Sequence, residues 1–155
     1  MKIRAYESRD AEALAALYVR SVEGIGPRDY SAEQVAAWAA LGPSPERIEA
    51  RSRDGRRMLV AVDAADRLLA FGDLEADGHI HFLYCAPEAA GRGVTSALYD
   101  ELERSARAQG LKRLYSEASE AARRFFAKKG FTVTAKRAFE IDGVPIHNYA
   151  VEKRL

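Results

Sequence analysis

Two histidines one residue apart, His79 and His81, stand at the head of the run HIHFLYC, residues 79–85. An imidazole titrates near ~6.5, so either ring can take up or hand on a proton at neutral pH. Alternate residues of a strand share a face, so a regular strand here presents both rings together with Leu83 and Cys85. The same spacing suits two partly exposed strand residues. A metal pair would need a third ligand, and no cysteine or carboxylate stands at a recognisable spacing to supply one. Cys85 is either a covalent carrier or inert packing, and packing is the commoner fate of a cysteine in a buried strand. Tyr84 falls on the opposite face unless a bulge re-aims it. Glu75, across the Asp77-Gly78 turn, offers a carboxylate that can steer a cation or act as a base.

A second group lies a few residues on, at Gly91-Arg92-Gly93. Glycines let a backbone approach a ligand closely, and a helix start offers unpaired N–H groups and a positive dipole end. Such a join can cradle a phosphate or pyrophosphate, and it can equally be a tight turn with no ligand. No Gly-Lys-Ser/Thr follows, so this is not a P-loop. Ser96 stands where the third glycine of the dinucleotide pattern belongs.

The surrounding pattern must position these residues. His79–Cys85 reads as a buried strand, which Pro87 ends because proline cannot donate to a ladder. From Gly91 the period changes, Val94, Leu98 and Leu102 recurring every fourth residue with Ala97 and Ala106 alongside, until Gly110 stops the helix. Upstream, Lys2–Tyr6 alternates as a strand and Asp10 is placed to cap a helix carrying Leu14, Leu17, Tyr18 and Val22. A glycine–proline loop, 24–30, follows. Ser31 and Gln34 form a capping box, and Ser44 with Pro45 starts another short helix. Arg57–Val62 and Arg67–Glu75 read as paired strands, with Asp77-Gly78 turning the chain into the His79 strand. Leu111–Ser116 must run parallel to that strand, since a helix joins the two. Ser119 caps a helix with Ala122, Phe125 and Phe126 inward, and 131–141 with 146–152 close the chain as a hairpin about Asp142-Gly143. The expected fold class is α/β (α+β mixed): a mostly antiparallel twisted mixed sheet with a central parallel pair and helices on both faces.

At 155 residues the chain is long enough for one domain with a proper core, expected over 1–155. Apolar residues at 48% and charged residues at 30% suit a water-soluble globular protein. A net charge of +1 argues against nucleic acid as principal partner. The single cysteine excludes an intrachain disulfide and suits a reducing compartment. No run approaches the ~20 apolar residues of a membrane span, and the N-terminus has no signal-peptide core. A cytoplasmic protein without membrane attachment is expected.

PEAAGRGVTSAL, residues 87–98, resembles the coenzyme A-binding signature of the GNAT acyl-CoA N-acyltransferases, Gln/Arg-x-x-Gly-x-Gly/Ala. Ala90, Gly93 and Thr95 fall on its three defined places, and only the glycine matches strictly. ASEAARRFFAKKGFTV, residues 118–133, is similar to the family's second signature through Ala122, Phe125, Gly130 and Phe131. The likeness covers essentially the whole chain and implies a GNAT-like sheet whose parallel strands splay apart. It implies acetyl-coenzyme A as co-substrate, its diphosphate held by Gly91, Arg92, Gly93, Val94, Thr95 and Ser96. Its pantetheine arm would pair with the backbone of Leu83, Tyr84 and Cys85 as an added strand, beside Ser119 and Phe125.

The family's proton-donating tyrosine is replaced by Phe126, so another group or solvent must protonate the departing thiolate. HIHFLYC is similar to the strand of amine-acetylating members that carries two histidines. That likeness implies that His79 and His81 relay a proton from the attacking amine, with Tyr84 and Glu75 as further catalytic candidates. An alkylammonium, with a pKa near ~10, cannot attack until it loses that proton. Tyr30 and Trp38 lie where the family forms its acceptor wall, and both also fit plain aromatic packing. The implied reaction is acetyl transfer to a primary amine, borne by a small molecule, a peptide or a protein. A domain that binds acyl-coenzyme A without catalysis is the alternative. The acceptor and the oligomeric state, a homodimer included, have no readable code in the sequence.

Overall fold

The computed structural model describes residues 1–155. In chain order it contains β1 (Lys2–Ala5), α1 (Ala11–Ile25), α2 (Ala32–Ala39), α3 (Pro45–Ser52), β2 (Arg57–Val62), β3 (Leu68–Leu74) and β4 (Leu83–Cys85). Then follow α4 (Val94–Ala108), β5 (Arg113–Ala118), α5 (Glu120–Lys128), β6 (Thr132–Ile141) and β7 (Val144–Arg154). A four-stranded antiparallel sheet, β1-β2-β3-β4, and a three-stranded one, β5-β7-β6, meet at a single parallel bridge between His79 and Tyr115. The expected mixed α/β fold with a splayed parallel pair is what forms, β7 inserting between β5 and β6.

The first sheet is covered on both faces. On one, α4 turns Val94, Leu98, Leu102 and Ala106 into the core, the last three fully buried. Gly72 of β3 lets it come close, since a Cβ there would lie 3.1 Å from the Leu102 side chain. On the other face α1 sets Tyr18 against Phe82 and Tyr84, with ring centroids 6.3 and 4.8 Å apart. The Ser31–Gln34 capping box forms at α2, and Ser44 and Ser119 cap α3 and α5 through their hydroxyls. Asp10 does not cap α1. Its carboxylate takes Arg4 and the Glu7 amide instead, because the half-buried Arg4 guanidinium is the stronger donor.

One larger departure shapes the site. The expected strand over 79–85 pairs regularly only from Leu83, and the preceding residues bulge. The cause is Asp73, fully buried on β3, whose Oδ1 accepts from the consecutive amides of His81 and Phe82 at 2.8 and 2.7 Å. Two successive N–H groups aimed at one oxygen cannot both belong to a ladder, so the side-chain alternation slips by one.

Candidate active site

The slip decides which side chains share a face. Leu83 meets the α4 side, its Cδ1 lying 3.1 Å from the place of a Cβ on Gly72, and Cys85 lies beside Thr95 of α4. His81 goes to the other side, its ring 4.4 Å from that of Phe82 and 5.7 Å from that of His79. The two imidazoles therefore remain together, as expected, but share their face with Phe82 and Tyr84 rather than with Leu83 and Cys85. The bulge does re-aim Tyr84.

The imidazoles are not equivalent. His79 is held by two carboxylates: Nδ1 meets Glu75 Oε2, and Nε2 lies 2.7 Å from Glu117 Oε1 across on β5. The Glu117 bond, against the cost of burial and helped by Glu75, pushes His79 up to about 9. It is thus an imidazolium at neutral pH, and Glu117 is drawn below the usual carboxylate range by the same contact. His81 moves the other way. His81 is exposed as a residue, but desolvation of its ring against Phe82 lowers it, the Arg51 and His79 charges adding to the effect against the pull of Asp73. At neutral pH His81 is the free base of the pair.

Asp73 is pinned from behind by Arg56, which donates at 2.7 Å to its Oδ2 and at 3.1 Å to Glu75. Burial pushes the Asp73 carboxyl up, opposed by the two amides and by Arg56. The sequence reading did not single out Asp73, Arg56 or Glu117. A charge inside the otherwise apolar run Leu68–Leu74 was a signal for Asp73. Nothing local marked Glu117, which reaches His79 across 38 residues.

Beyond the bridge the strands part. Ile80 N donates to Tyr115 O at 2.9 Å and Ser116 Oγ to Ile80 O at 2.6 Å, the last contacts before β4 and β5 diverge. Phe82 O and Ala86 N bond β3, so by antiparallel alternation the N–H and C=O of Leu83 and Cys85 point into the gap and those of Tyr84 do not. At its far end Gly91 and Gly93 adopt φ of +74° and +80°, and a Cβ on either would meet nothing within 4 Å. No hydrogen bond within the protein uses the amides of Gly91, Gly93, Val94, Thr95 or Ser96. A chain carrying amides in its middle and a diphosphate at its end fits this gap: added-strand pairing along Leu83–Cys85, anion binding at the turn.

The remaining candidates divide. Cys85 is half-buried and burial raises its thiol, so it packs as a neutral group. Tyr84 lies against Tyr18, Phe71 and Trp38, and burial raises its hydroxyl to about 12, leaving it a proton carrier. Tyr30 is buried, donating to His147 O and accepting from Glu120 N, each at 3.1 Å, and so braces the start of α5. Trp38, half-buried, stacks edge-on against it. Ser119 spends its hydroxyl on the α5 cap. Phe125 is half-buried beside Tyr99, whereas Phe126 is only 2% exposed and packs on Phe131.

The profile of the acetyltransferase (GNAT) domain family matches residues 27–153. The chain is 30% identical to the uncharacterized N-acetyltransferase YafP of Escherichia coli over 151 residues, 96% of this chain and 93% of that one. It is 25% identical to the uncharacterized N-acetyltransferase Mb2688 of Mycobacterium bovis over 153 residues, 94% of this chain and 98% of that one. Among solved structures, a GCN5-related N-acetyltransferase from Rhodopseudomonas palustris superposes with a TM-score of 0.90 at 34% identity, covering 99% of this chain and 95% of that one. The PaiA N-acetyltransferase of Thermoplasma acidophilum, crystallised with coenzyme A, shares the fold at a TM-score of 0.76 and 21% identity, over 99% and 98% of the two chains. The bulged histidine strand, the splayed gap and the open glycine turn thus sit in a chain that belongs to the GNAT family of acyl-coenzyme A-dependent N-acetyltransferases.

Proposed function

We propose that the chain transfers an acetyl group from acetyl-coenzyme A to a primary amine by direct attack within a ternary complex. The observation that carries this reading is the pair of unlike imidazoles, one charged and one neutral, at the closed end of a gap whose main-chain donors have no partner. Bound acetyl-coenzyme A supplies a thioester carbonyl, whose carbon gains the amine nitrogen as its bond to sulfur breaks.

The chain's own groups supply the rest. Unpaired amides of the Gly91–Ser96 turn hold the diphosphate, and Arg92 stands exposed beside them. The inward N–H groups of Leu83 and Cys85 polarise the carbonyl where negative charge develops. His81 accepts the ammonium proton. His79, charged between Glu75 and Glu117, leaves that cluster with a net negative charge that draws the ammonium in. Tyr84 keeps its proton and can give it to the departing thiolate, the role that Phe126 cannot fill. Trp38 forms part of the acceptor wall, and the buried Tyr30 braces it from behind.

The test is release of free coenzyme A thiol from acetyl-coenzyme A over a panel of primary amines. His81→Ala lowers kcat/KM by roughly a hundredfold or more while the affinity for acetyl-coenzyme A stays unchanged. Tight binding with no thiol released for any amine would identify a non-catalytic acyl-coenzyme A-binding domain instead.

A further inference from the structure

Arg51, in the last turn of α3, is a half-buried guanidinium with no carboxylate within ion-pair distance. Its Cζ stands 5.1 Å over the centre of the Phe82 ring, and the His81 ring meets the same phenyl edge-on at 4.4 Å. Asp54, an acidic side chain close enough to feel its charge, is bonded to Arg56. The other half-buried arginines, Arg4, Arg56 and Arg123, all hold carboxylates. Stacking on Phe82 accounts for the face of the guanidinium and leaves its edge donors free. An unpaired planar fork beside the candidate base is a carboxylate receptor.

A charge of the opposite sign also borders His81, whose ring lies 5.7 Å from that of His79. Glu75, His79 and Glu117, with the Asp73–Arg56 pair that Glu75 also joins, carry one net negative charge when the carboxylates are ionised and the imidazole is protonated. An acceptor turning its ammonium to that cluster and His81 would present its other end to Arg51. Resting on the acetyl-transfer reading above, we propose that the acceptor is zwitterionic. It is an amino acid or a short amino-carboxylate, whose carboxylate pairs with Arg51 while its amine is delivered to His81. The bland role for Arg51, a cation closing the α3 helix dipole and shielding Phe82, predicts no dependence on the acceptor's charge.

The test uses the full chain with glutamate, methionine, phenylalanine, lysine and β-alanine, each alongside its methyl ester and its decarboxylated amine. Binding to the coenzyme A-loaded protein is followed by calorimetry and transfer by thiol release. The expected result is at least one free acid preferred over its ester by tenfold or more. Arg51→Gln then raises KM for that acid about tenfold with little change in kcat, and leaves the ester and the amine where they were. Arg51→Lys restores part of the affinity. Equal use of acid, ester and amine by the wild-type protein overturns the proposal, as does an Arg51→Gln loss shared equally by all three. Failure to bind any of the free acids also overturns it. If the acids bind through Arg51 but no thiol is released, the receptor stands and the transfer reading falls.

Discussion

The division of labour between His79 and His81 follows from what each nitrogen touches. A ring with a carboxylate at both nitrogens is worth more to the fold charged than neutral; one desolvated over a phenyl and beside an arginine is worth more neutral. Two consequences can be measured. The first is a two-step dependence of kcat/KM on pH, once the acceptor's own ionisation is divided out. The first rise lies below the ordinary imidazole value and belongs to His81; a second rise lies near pH 9, where His79 loses its proton and leaves Glu75 and Glu117 more negative towards the ammonium. His79→Gln removes the second step and leaves the first; a profile unchanged in that variant would take His79 out of the chemistry. The second is stability. The folded pKa of His79 is raised, so its contribution is complete below pH ~6.5 and is lost as pH climbs through about 9. Allowing for solvent screening at the partly exposed Glu117, the loss amounts to roughly 2 kcal/mol. Urea unfolding at pH 6 and pH 10 should show that decrease in the wild-type protein and little of it in His79→Gln.

At the scale of elements, glycines that look alike in sequence do different work. Gly78 has a φ of +98°, and a Cβ on it would fall 2.1 Å from Arg113 O, where β5 first touches the His79 segment. Backbone cannot yield there, so Gly78→Ala costs about 3 kcal/mol or more in chemical unfolding and loosens the only parallel bridge between the sheets. Gly93 is also left-handed but faces open space, so Gly93→Ala costs about 1 kcal/mol of fold while placing a methyl group in the diphosphate cradle. Its signature is a tenfold or greater rise in the dissociation constant for acetyl-coenzyme A with nearly native stability. Asp73→Ala leaves the buried Phe82 amide and the part-buried His81 amide without an acceptor and the Arg56 charge, 8% exposed, without its buried partner. The expected cost is about 3–5 kcal/mol. These sites also show where sequence reading stops. The Ser31–Gln34 box, the Gly110 stop and the Asp142-Gly143 turn are written in adjacent residues and could be read directly. Asp73 acts on amides eight and nine residues away and Glu117 on a ring 38 away. Their roles exist only once the strands are laid side by side, so strand alternation alone put His81 on the wrong face.

For the whole molecule, the two sheets share little backbone. One bridge at His79–Tyr115 and the Ile80–Ser116 bond join them, while α4 and α5 bind the remainder through Tyr99, Phe125, Phe126 and Phe131 and through Lys129, which bonds Ser96 at 2.6 Å and Asp100 at 2.8 Å. A gap opened by design of the strands is a place where the fold gives up its own hydrogen bonds, and a ligand that pairs with β4 and caps α4 supplies them from outside. Acetyl-coenzyme A should therefore stabilise the protein as a whole rather than one loop of it. At a concentration 100 times its dissociation constant the gain is about 2.7 kcal/mol, which for a chain of this length raises the melting temperature by roughly 5–10 °C. The pattern of hydrogen exchange separates this from mere anion binding at the turn. With acetyl-coenzyme A, slowing should appear at the Leu83 and Cys85 amides as well as at Gly91–Ser96, while the Tyr84 amide, already bonded to β3, changes little. Inorganic diphosphate alone should protect only the turn. Equal protection by both ligands would mean that the gap between β4 and β5 takes no pantetheine chain, and that the splay serves some purpose other than holding the thioester beside His81.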